Sequence, residues 1–353
     1  MKKIQVFIVD DSAAVRGILS RELSATREIE VIGTSGDPYA VLKNRAFDVL
    51  LLDIEMSQTD GLAFLEYLMK FAPVPVIVMS SLVTPDSYAA VRALELGAVD
   101  AAHKPGGPLS VEDNIVELCR KIREAAAVQV WKLCSILNRL NKSVMNIRAV
   151  RNIHPSVSAA DRALVVVGTS TGGVPVLESL LTRFTYGFPP VLVVICMPEH
   201  FTASFAKRLD QLCEFTVKEA QNGTVILPRT IYIAPGGFGM EVDTTGTDRI
   251  IRITGRQKVS RRRRPVDILF RSAAKTQGKN CTAILLTGSG CDGALGMKAV
   301  RNAGGWTIAQ NEESSIVYDM PGKAVALGAA CEVIPLNEIA EHIGIRNRQD
   351  VNF

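Results

Sequence analysis

The chain has 353 residues, 47% of them hydrophobic, and a formal net charge of +4. So small a charge leaves no electrostatic footprint for nucleic acid, and no apolar run is long enough to span a bilayer. Seven cysteines without a CxxC pair fit reduced thiols better than a disulfide framework or a zinc site.

The start, Met1-Lys2-Lys3-Ile4, leads straight into a strand pattern and lacks the apolar stretch of a signal peptide. The expectation is a soluble, cytoplasmic protein, not membrane-inserted. Across the first ~120 residues, apolar runs at 6–9, 31–33, 49–52, 76–79 and 98–101 alternate with amphipathic stretches such as 61–70 and 88–96. That is the pattern of a parallel sheet with helices on both faces. From about Val111 a helical pattern runs on towards Leu140. It grades into a polar, basic stretch, 141–162, with His154-Pro155 and the composition of a linker. A second alternation begins at Leu164, with strands expected at 164–167, 191–195, 231–234 and 283–287 and a weak polar hairpin at 240–254. The expected fold class is α/β: two doubly wound parallel-sheet domains, at residues 1–122 and 162–345, joined by a helical and polar linker at 123–161.

Asp10 and Asp11 directly follow the first strand and Asp53 the third. Strand ends on the carboxyl side of an open parallel sheet converge on one crevice, so three carboxylates meet there. Like charges that close repel unless a cation joins them, and an oxygen-only ligand set suits Mg²⁺. Ser80 follows the fourth strand and Lys104-Pro105 the fifth, placing a hydroxyl and an ammonium where they could hold phosphoryl oxygens. Any one of these acids alone is more simply read as the cap of the next helix. All five residues at the proper strand ends make that reading a poor one.

In these stretches, Val9-Asp10-Asp11-Ser12, Leu52-Asp53-Ile54-Glu55-Met56, Asp60-Gly61, Ser80 and Lys104-Pro105, the chain resembles the receiver domains of two-component systems. The resemblance implies that Asp53 is phosphorylated, that Asp10 and Asp11 hold Mg²⁺ with it, and that Ser80 and Lys104 contact the phosphoryl group. Two residues depart from the receiver pattern. Ser57 stands where a proline usually follows Met56, and Ala101 stands where many receivers carry an aromatic switch residue.

Gly168-Thr169-Ser170-Thr171-Gly172-Gly173 follows a strand and opens a helix. A serine there projects near a helix N-terminus, where free N–H groups can stabilise an anion. Phosphate cradling and nucleophilic serine hydrolysis both use this arrangement. The motif is none of GxGxxG, GxxxxGKS or GxSxG, and locally Ser170 reads as well as an N-cap. A second loop, Thr287-Gly288-Ser289-Gly290-Cys291-Asp292-Gly293-Ala294, brings a carboxylate to the same sheet edge. A third, Met197-Pro198-Glu199-His200-Phe201-Thr202, follows the 191–195 strand.

With 201–209, Ile233-Ala234-Pro235-Gly236 and Met320-Pro321, these loops resemble the effector domain of chemotaxis protein-glutamate methylesterases, the CheB type, in that family's order after a receiver. The resemblance implies hydrolysis of γ-glutamyl methyl esters on methyl-accepting chemoreceptors, often with deamidation of receptor glutamines, and a chemotaxis histidine kinase as phosphodonor. It aligns Ser170 with the nucleophile and Asp292 with the triad acid, which in such a triad orients a histidine that takes the serine proton. Backbone N–H groups of the 288–290 loop become candidates for the oxyanion hole.

The departure is at the base. Where the family reads Gln-His-Met-Pro, this chain reads Ile195-Cys196-Met197-Pro198. Of its histidines 103, 154, 200 and 342, only His200 lies near the site in sequence, as a substitute base. Gly239 likewise replaces a frequent histidine. A thiol with a pKa near 8.5 is a poor general base at neutral pH. Two function classes therefore compete: a phosphorylation-gated esterase with an altered triad, and a receiver-controlled binding protein with a weak or inactive esterase domain. A phosphate-binding module ranks below both, since no Walker lysine is present. The basic run 258–264 reads chiefly as a solvated face, with contact to an acidic receptor surface as the lesser alternative.

Overall fold

The computed structural model describes residues 2–43, 46–57, 59–80, 87–104, 111–144, 163–185, 187–199, 201–255 and 264–349. It divides into two compact units, residues 1–138 and 139–353.

The first unit contains β1 (Ile4–Val9), α1 (Ala13–Ser24), β2 (Ile29–Ser35), β3 (Val49–Asp53), α2 (Gly61–Phe71), β4 (Val76–Ser80), α3 (Ser87–Glu95), β5 (Asp100–His103) and α4 (Val111–Ala126), and the start of α5 (Val130–Val144). Its parallel sheet runs β2-β1-β3-β4-β5. The inner strands Val-Leu-Leu-Leu-Asp and Val-Ile-Val-Met-Ser are buried throughout, which is why they read as unbroken apolar runs rather than alternating ones. Phe64, Leu65 and Leu68 of α2 and Ile122 of α4 are also buried. Each such side chain contributes on the order of 1.5–3 kcal/mol.

Two details differ from the sequence reading. β5 starts at Asp100, two residues late, because the Ala98 N–H closes back on Ala93 O (3.0 Å) around Gly97, whose φ of 113° ends α3. The long helical pattern from Val111 is two helices. They are broken at Ala127–Gln129, where Val128 and Val130 turn inward. The second helix runs on to Val144, through the first residues of the polar stretch 141–162. Its Leu133 is buried, and its Cys134 Sγ lies 3.7 Å from Met69 O. The remainder of that stretch, 145–162, lies outside the described residues.

The second unit contains β6 (Leu164–Thr169), α6 (Gly173–Leu181), β7 (Val191–Ile195), α7 (Phe201–Leu212), β8 (Thr216–Glu219), β9 (Thr230–Ile233), β10 (Gly239–Thr245), β11 (Asp248–Thr254), α8 (Pro265–Gln277), β12 (Cys281–Leu285), α9 (Ala294–Asn302), β13 (Trp306–Gln310), α10 (Asp319–Ala326), β14 (Glu332–Ile334) and α11 (Leu336–Gln349). The parallel sheet order is β14-β13-β12-β6-β7-β9-β8, and β10 and β11 form a separate hairpin paired along its whole length. The sequence reading missed β8, β13 and β14. The first and last are short sheet edges carrying charged residues, and β13 hides as five residues between Gly304-Gly305 and Asn311.

Both sheets are built outward from their first strand. β2 and β3 flank β1, and β7 and β12 flank β6. Chains leaving a central strand in opposite directions open a crevice at its carboxyl end, the usual ligand position in such sheets. The topology thus marks the β1/β3 ends in one unit and the β6/β12 ends in the other.

Candidate functional site

At the β1/β3 crevice, ligand oxygens of Asp10, Asp11 and Asp53 all lie within 4.8 Å of one another. Asp10 and Asp53 are buried and Asp11 is exposed. None of the three is the N-cap of the next helix. Ser12 caps α1, and Asp60 caps α2 by accepting the Leu62 and Ala63 N–H groups. Lys104 Nζ lies 2.6 Å from Asp53 Oδ2 and 3.3 Å from Asp10 Oδ2. The ammonium thus pairs with both buried carboxylates, more closely with Asp53. Their partner oxygens accept backbone N–H groups, from Ser12 to Asp10 (2.9 Å) and from Glu55 to Asp53 (2.8 Å). Asp11 Oδ2 accepts the Ser57 N–H at 2.8 Å. Ser80 is buried and its hydroxyl donates to Glu55 Oε1 at 2.7 Å.

The electrostatics follow from this packing. Burial raises the Asp53 pKa against the pull of Lys104 and of the Glu55 N–H. Burial also opposes the Lys104 charge, but Asp53 and Asp10 outweigh it and the lysine is raised. The Ser57 amide, then its hydroxyl, lowers Asp11. Three carboxylates whose oxygens lie within 4.8 Å of one another, two of them buried and met by one ammonium, form an all-oxygen set that fits a hard divalent cation such as Mg²⁺.

At the β6/β12 crevice, Ser170 leaves β6 half-buried. Its N–H donates to Thr287 O (3.2 Å), and on the other side the Cys196 N–H donates to Thr169 O (3.2 Å). Since Thr169 pairs with Ile195 in the β6–β7 ladder, Ser170 and Cys196 leave adjacent strands side by side. Their backbones are roughly 5 Å apart at ordinary strand spacing. Among the described residues nothing hydrogen-bonds to Ser170 Oγ. The cap of α6 is Gly172, with no side-chain bond, so Ser170 is not spent as an N-cap. Cys196 is half-buried and not in a disulfide. The chain turns just beyond it, with the Phe201 N–H reaching Pro198 O at 3.4 Å; His200 lies outside the described residues.

The 288–290 loop presses against Ser170. A Cβ on Gly288 would stand 2.9 Å from Ser170 Cβ, so only glycine fits. Two of its three N–H groups are occupied. Gly288 donates to Val317 O (3.0 Å) and Gly290 to Asp319 Oδ2 (3.3 Å). Among the described residues the Ser289 N–H has no partner, which leaves it open to another acceptor. Fully buried Thr287 is the hub. Its N–H donates to Gln310 Oε1 (2.8 Å), and its hydroxyl joins Thr171 O and the Val317 N–H.

Asp292 is held by backbone amides. Its carboxylate accepts the Val266 N–H (3.0 Å) and the Asp267 N–H (2.9 Å) from the first turn of α8, and the Gly293 N–H (2.8 Å). It caps α8 across the fold, while the helix that follows it, α9, is capped by Gly293. Asp267 returns the contact, its Oδ1 accepting the Gly296 N–H of α9 at 2.6 Å. Burial outweighs the N–H donors and pushes the Asp292 pKa up to about 6. Sequence reasoning missed Asp267, Gln310 and Asp319. Only Asp267 carried a signal: Pro265 followed by an acid within the first turn marks a helix start. Residues 258–263 of the basic run lie outside the described residues. Arg264, at its end, reaches Asp267 Oδ2 (3.4 Å) and Cys291 Sγ (3.5 Å).

Residues 165–343 match the family model for CheB methylesterase, and residues 6–115 match that for the response regulator receiver domain. The protein-glutamate methylesterase/protein-glutamine glutaminase of Thiobacillus denitrificans is 41% identical over 348 residues, 97% of this chain and 96% of its own. That of Bordetella bronchiseptica is 41% identical over 351 residues, 97% of each chain. The crystal structure of the Thermotoga maritima CheB methylesterase catalytic domain is 36% identical, covers 51% of this chain and 96% of its own, and superposes with a TM-score of 0.49. By the model that matches half of it and by relatives aligned along nearly all of it, the chain belongs to the CheB methylesterase family, in the form that begins with a receiver domain.

Proposed function

We propose that this chain is a phosphorylation-gated protein-glutamate methylesterase of chemoreceptors whose hydrolytic step is slowed by the loss of its histidine base. The observation that carries the reading is Ser170, set at the β6/β12 crevice against the Gly288 loop with its hydroxyl committed to no other described group. In the reaction, Ser170 Oγ attacks the γ-carbonyl of a methylated glutamate and the carbonyl oxygen takes up negative charge against the Ser289 N–H. Methoxide departs, gains a proton and leaves as methanol, and water then cleaves the acyl–serine ester to free the carboxylate. The serine proton needs an acceptor. Cys196, in the place of the base, is ill suited to that at neutral pH, and Asp292 carries its charge into the α8 N-terminus.

In the first unit, Asp53 is the phosphoacceptor, from a chemotaxis histidine kinase or a small donor. Asp10, Asp11 and Asp53 would hold Mg²⁺, which when bound neutralises the carboxylates and the incoming phosphoryl oxygens. Lys104 supplies a second positive charge there, and Ser80 a hydroxyl. The domain limits proposed are 1–122 for the receiver and 162–345 for the esterase, working in the cytoplasm; among the described residues no helix is long and apolar enough to cross a membrane. A second reading, a receiver-controlled binding protein with an inactive esterase domain, is favoured by the Asp292 caps and Cys196 together. Methanol release from methylated receptor membranes separates the two. The esterase releases methanol slowly and faster with acetyl phosphate and Mg²⁺, whereas release at the rate of buffer in both conditions leaves the binding protein.

A further inference from the structure

We propose that Arg264 is a specificity-determining residue of the second unit's site, binding a carboxylate that neighbours the methyl ester on the substrate. The inference rests on the reading of Ser170 as the nucleophile of a protein-glutamate methylesterase. Arg264 is the residue before Pro265, at the N-terminal edge of α8. The first turn of that helix is wedged against the crevice. A Cβ on Gly168, two residues before Ser170, would lie 2.1 Å from Val266 Cγ1, and one on Gly293 would lie 2.6 Å from the same atom. The Asp292 carboxylate pins the Val266 and Asp267 N–H groups. The start of α8 therefore has a fixed place beside the ends of β6 and β12.

The guanidinium sits on the outer edge of the loop that presses on Ser170. Its Nη2 lies 3.5 Å from Cys291 Sγ, and its Nη1 lies 3.4 Å from Asp267 Oδ2. Asp267 is buried and accepts the Gly296 N–H with its other oxygen, so it orients the arginine from within the fold. The arginine side chain keeps 42% of its surface exposed. A guanidinium carries five N–H donors, and these contacts leave enough of them for a carboxylate. Cys291 is two residues beyond Ser289, and two residues of chain span at most ~7 Å. On a helix, residues three or four apart have Cβ atoms about 5–6 Å apart. A glutamate one turn from the ester can thus reach Arg264 while the ester reaches Ser170. The product of the reaction is itself a glutamate. On a substrate modified at more than one position, each demethylation then creates a neighbour that Arg264 can bind.

The test uses two helical peptides, each with one γ-glutamyl methyl ester, flanked four residues away on either side by glutamates or by glutamines. Methanol release by the full chain is followed at varied peptide concentration. The parent should favour the glutamate peptide by about 5-fold in kcat/KM, the upper end for an exposed ion pair, through KM rather than kcat. The preference should fall towards unity in about 0.5 M salt, where charges are screened. Arg264→Ala should bring the ratio to unity, and Arg264→Lys, which keeps the charge, should retain part of it. A ratio kept by Arg264→Ala overturns the proposal even if both rates drop, since the arginine would then only support the fold. A preference indifferent to salt, which needs no variant to measure, overturns it too. A parent that hydrolyses both peptides with equal kcat/KM overturns it alone and leaves the esterase reading intact. A parent that releases no methanol from either peptide overturns that reading and this one with it.

Discussion

Replacing Asp292 by alanine removes the acceptor for two N–H groups in the first turn of α8 and for the Gly293 N–H. Val266 and Asp267 are both buried, so water replaces the lost acceptor poorly. Loss of a capping side chain costs about 0.5–2 kcal/mol, and bonds to a charged acceptor lie at the strong end of the range, about 1.5–3 kcal/mol each. Against this stands the cost of burying the carboxylate, which shows in its raised pKa. The net loss expected is about 2 kcal/mol, or roughly 4–8 °C in the melting temperature of a domain this size. Trp306 is buried in β13 and Trp131 is exposed in the first unit. Thermal unfolding followed by Trp306 fluorescence in a Trp131→Phe background therefore reports the second unit. A melting temperature unchanged to within about 1 °C would refute the capping role.

The Asp292 pKa of about 6 lies above the unfolded value of about 3.9. The group's contribution to stability is therefore full below about pH 4 and lost as pH rises through about 6. The stability gap between the parent and Asp292→Asn should shrink across that window; a gap independent of pH contradicts the assignment. Asp53→Asn should abolish labelling by acetyl phosphate in the presence of Mg²⁺, and a variant labelled as strongly as the parent removes Asp53 from its role. Asp319→Ala frees the Gly290 N–H and takes a negative charge from the oxyanion loop. In a Cys196→His background it should raise turnover, on the order of 10-fold, because one well-placed oxyanion donor is worth about 10²–10³ and this one sits at an exposed edge. A lower or equal rate would show that Asp319 supports the loop.

The sheet-end acids and the glycine loops were legible because strand ends of a doubly wound fold converge whatever the intervening helices do. Apolar runs as plain as those at 49–52 and 191–195 fix where those ends fall. What the sequence hid was the direction of side chains. Asp292 stands one residue from α9 and reads as its cap, yet it serves α8, twenty-five residues upstream, because the two helix N-termini cross there. Asp319 and Gln310 gave no warning, being single polar residues in segments whose register against the β12 loop is set only by packing. The Ser57 amide was invisible for a different reason: a backbone donor carries no residue-type signal, and only the absence of a proline hinted at it.

The most direct test of the altered base is methanol release from methylated receptor by the parent beside Cys196→His, both with acetyl phosphate and Mg²⁺. A positioned general base is worth about 10²–10⁴ in rate, so the histidine variant should exceed the parent by that factor. Equal rates for the two, whether both fast or both at the level of buffer, would contradict the claim that the missing imidazole at position 196 limits this chain.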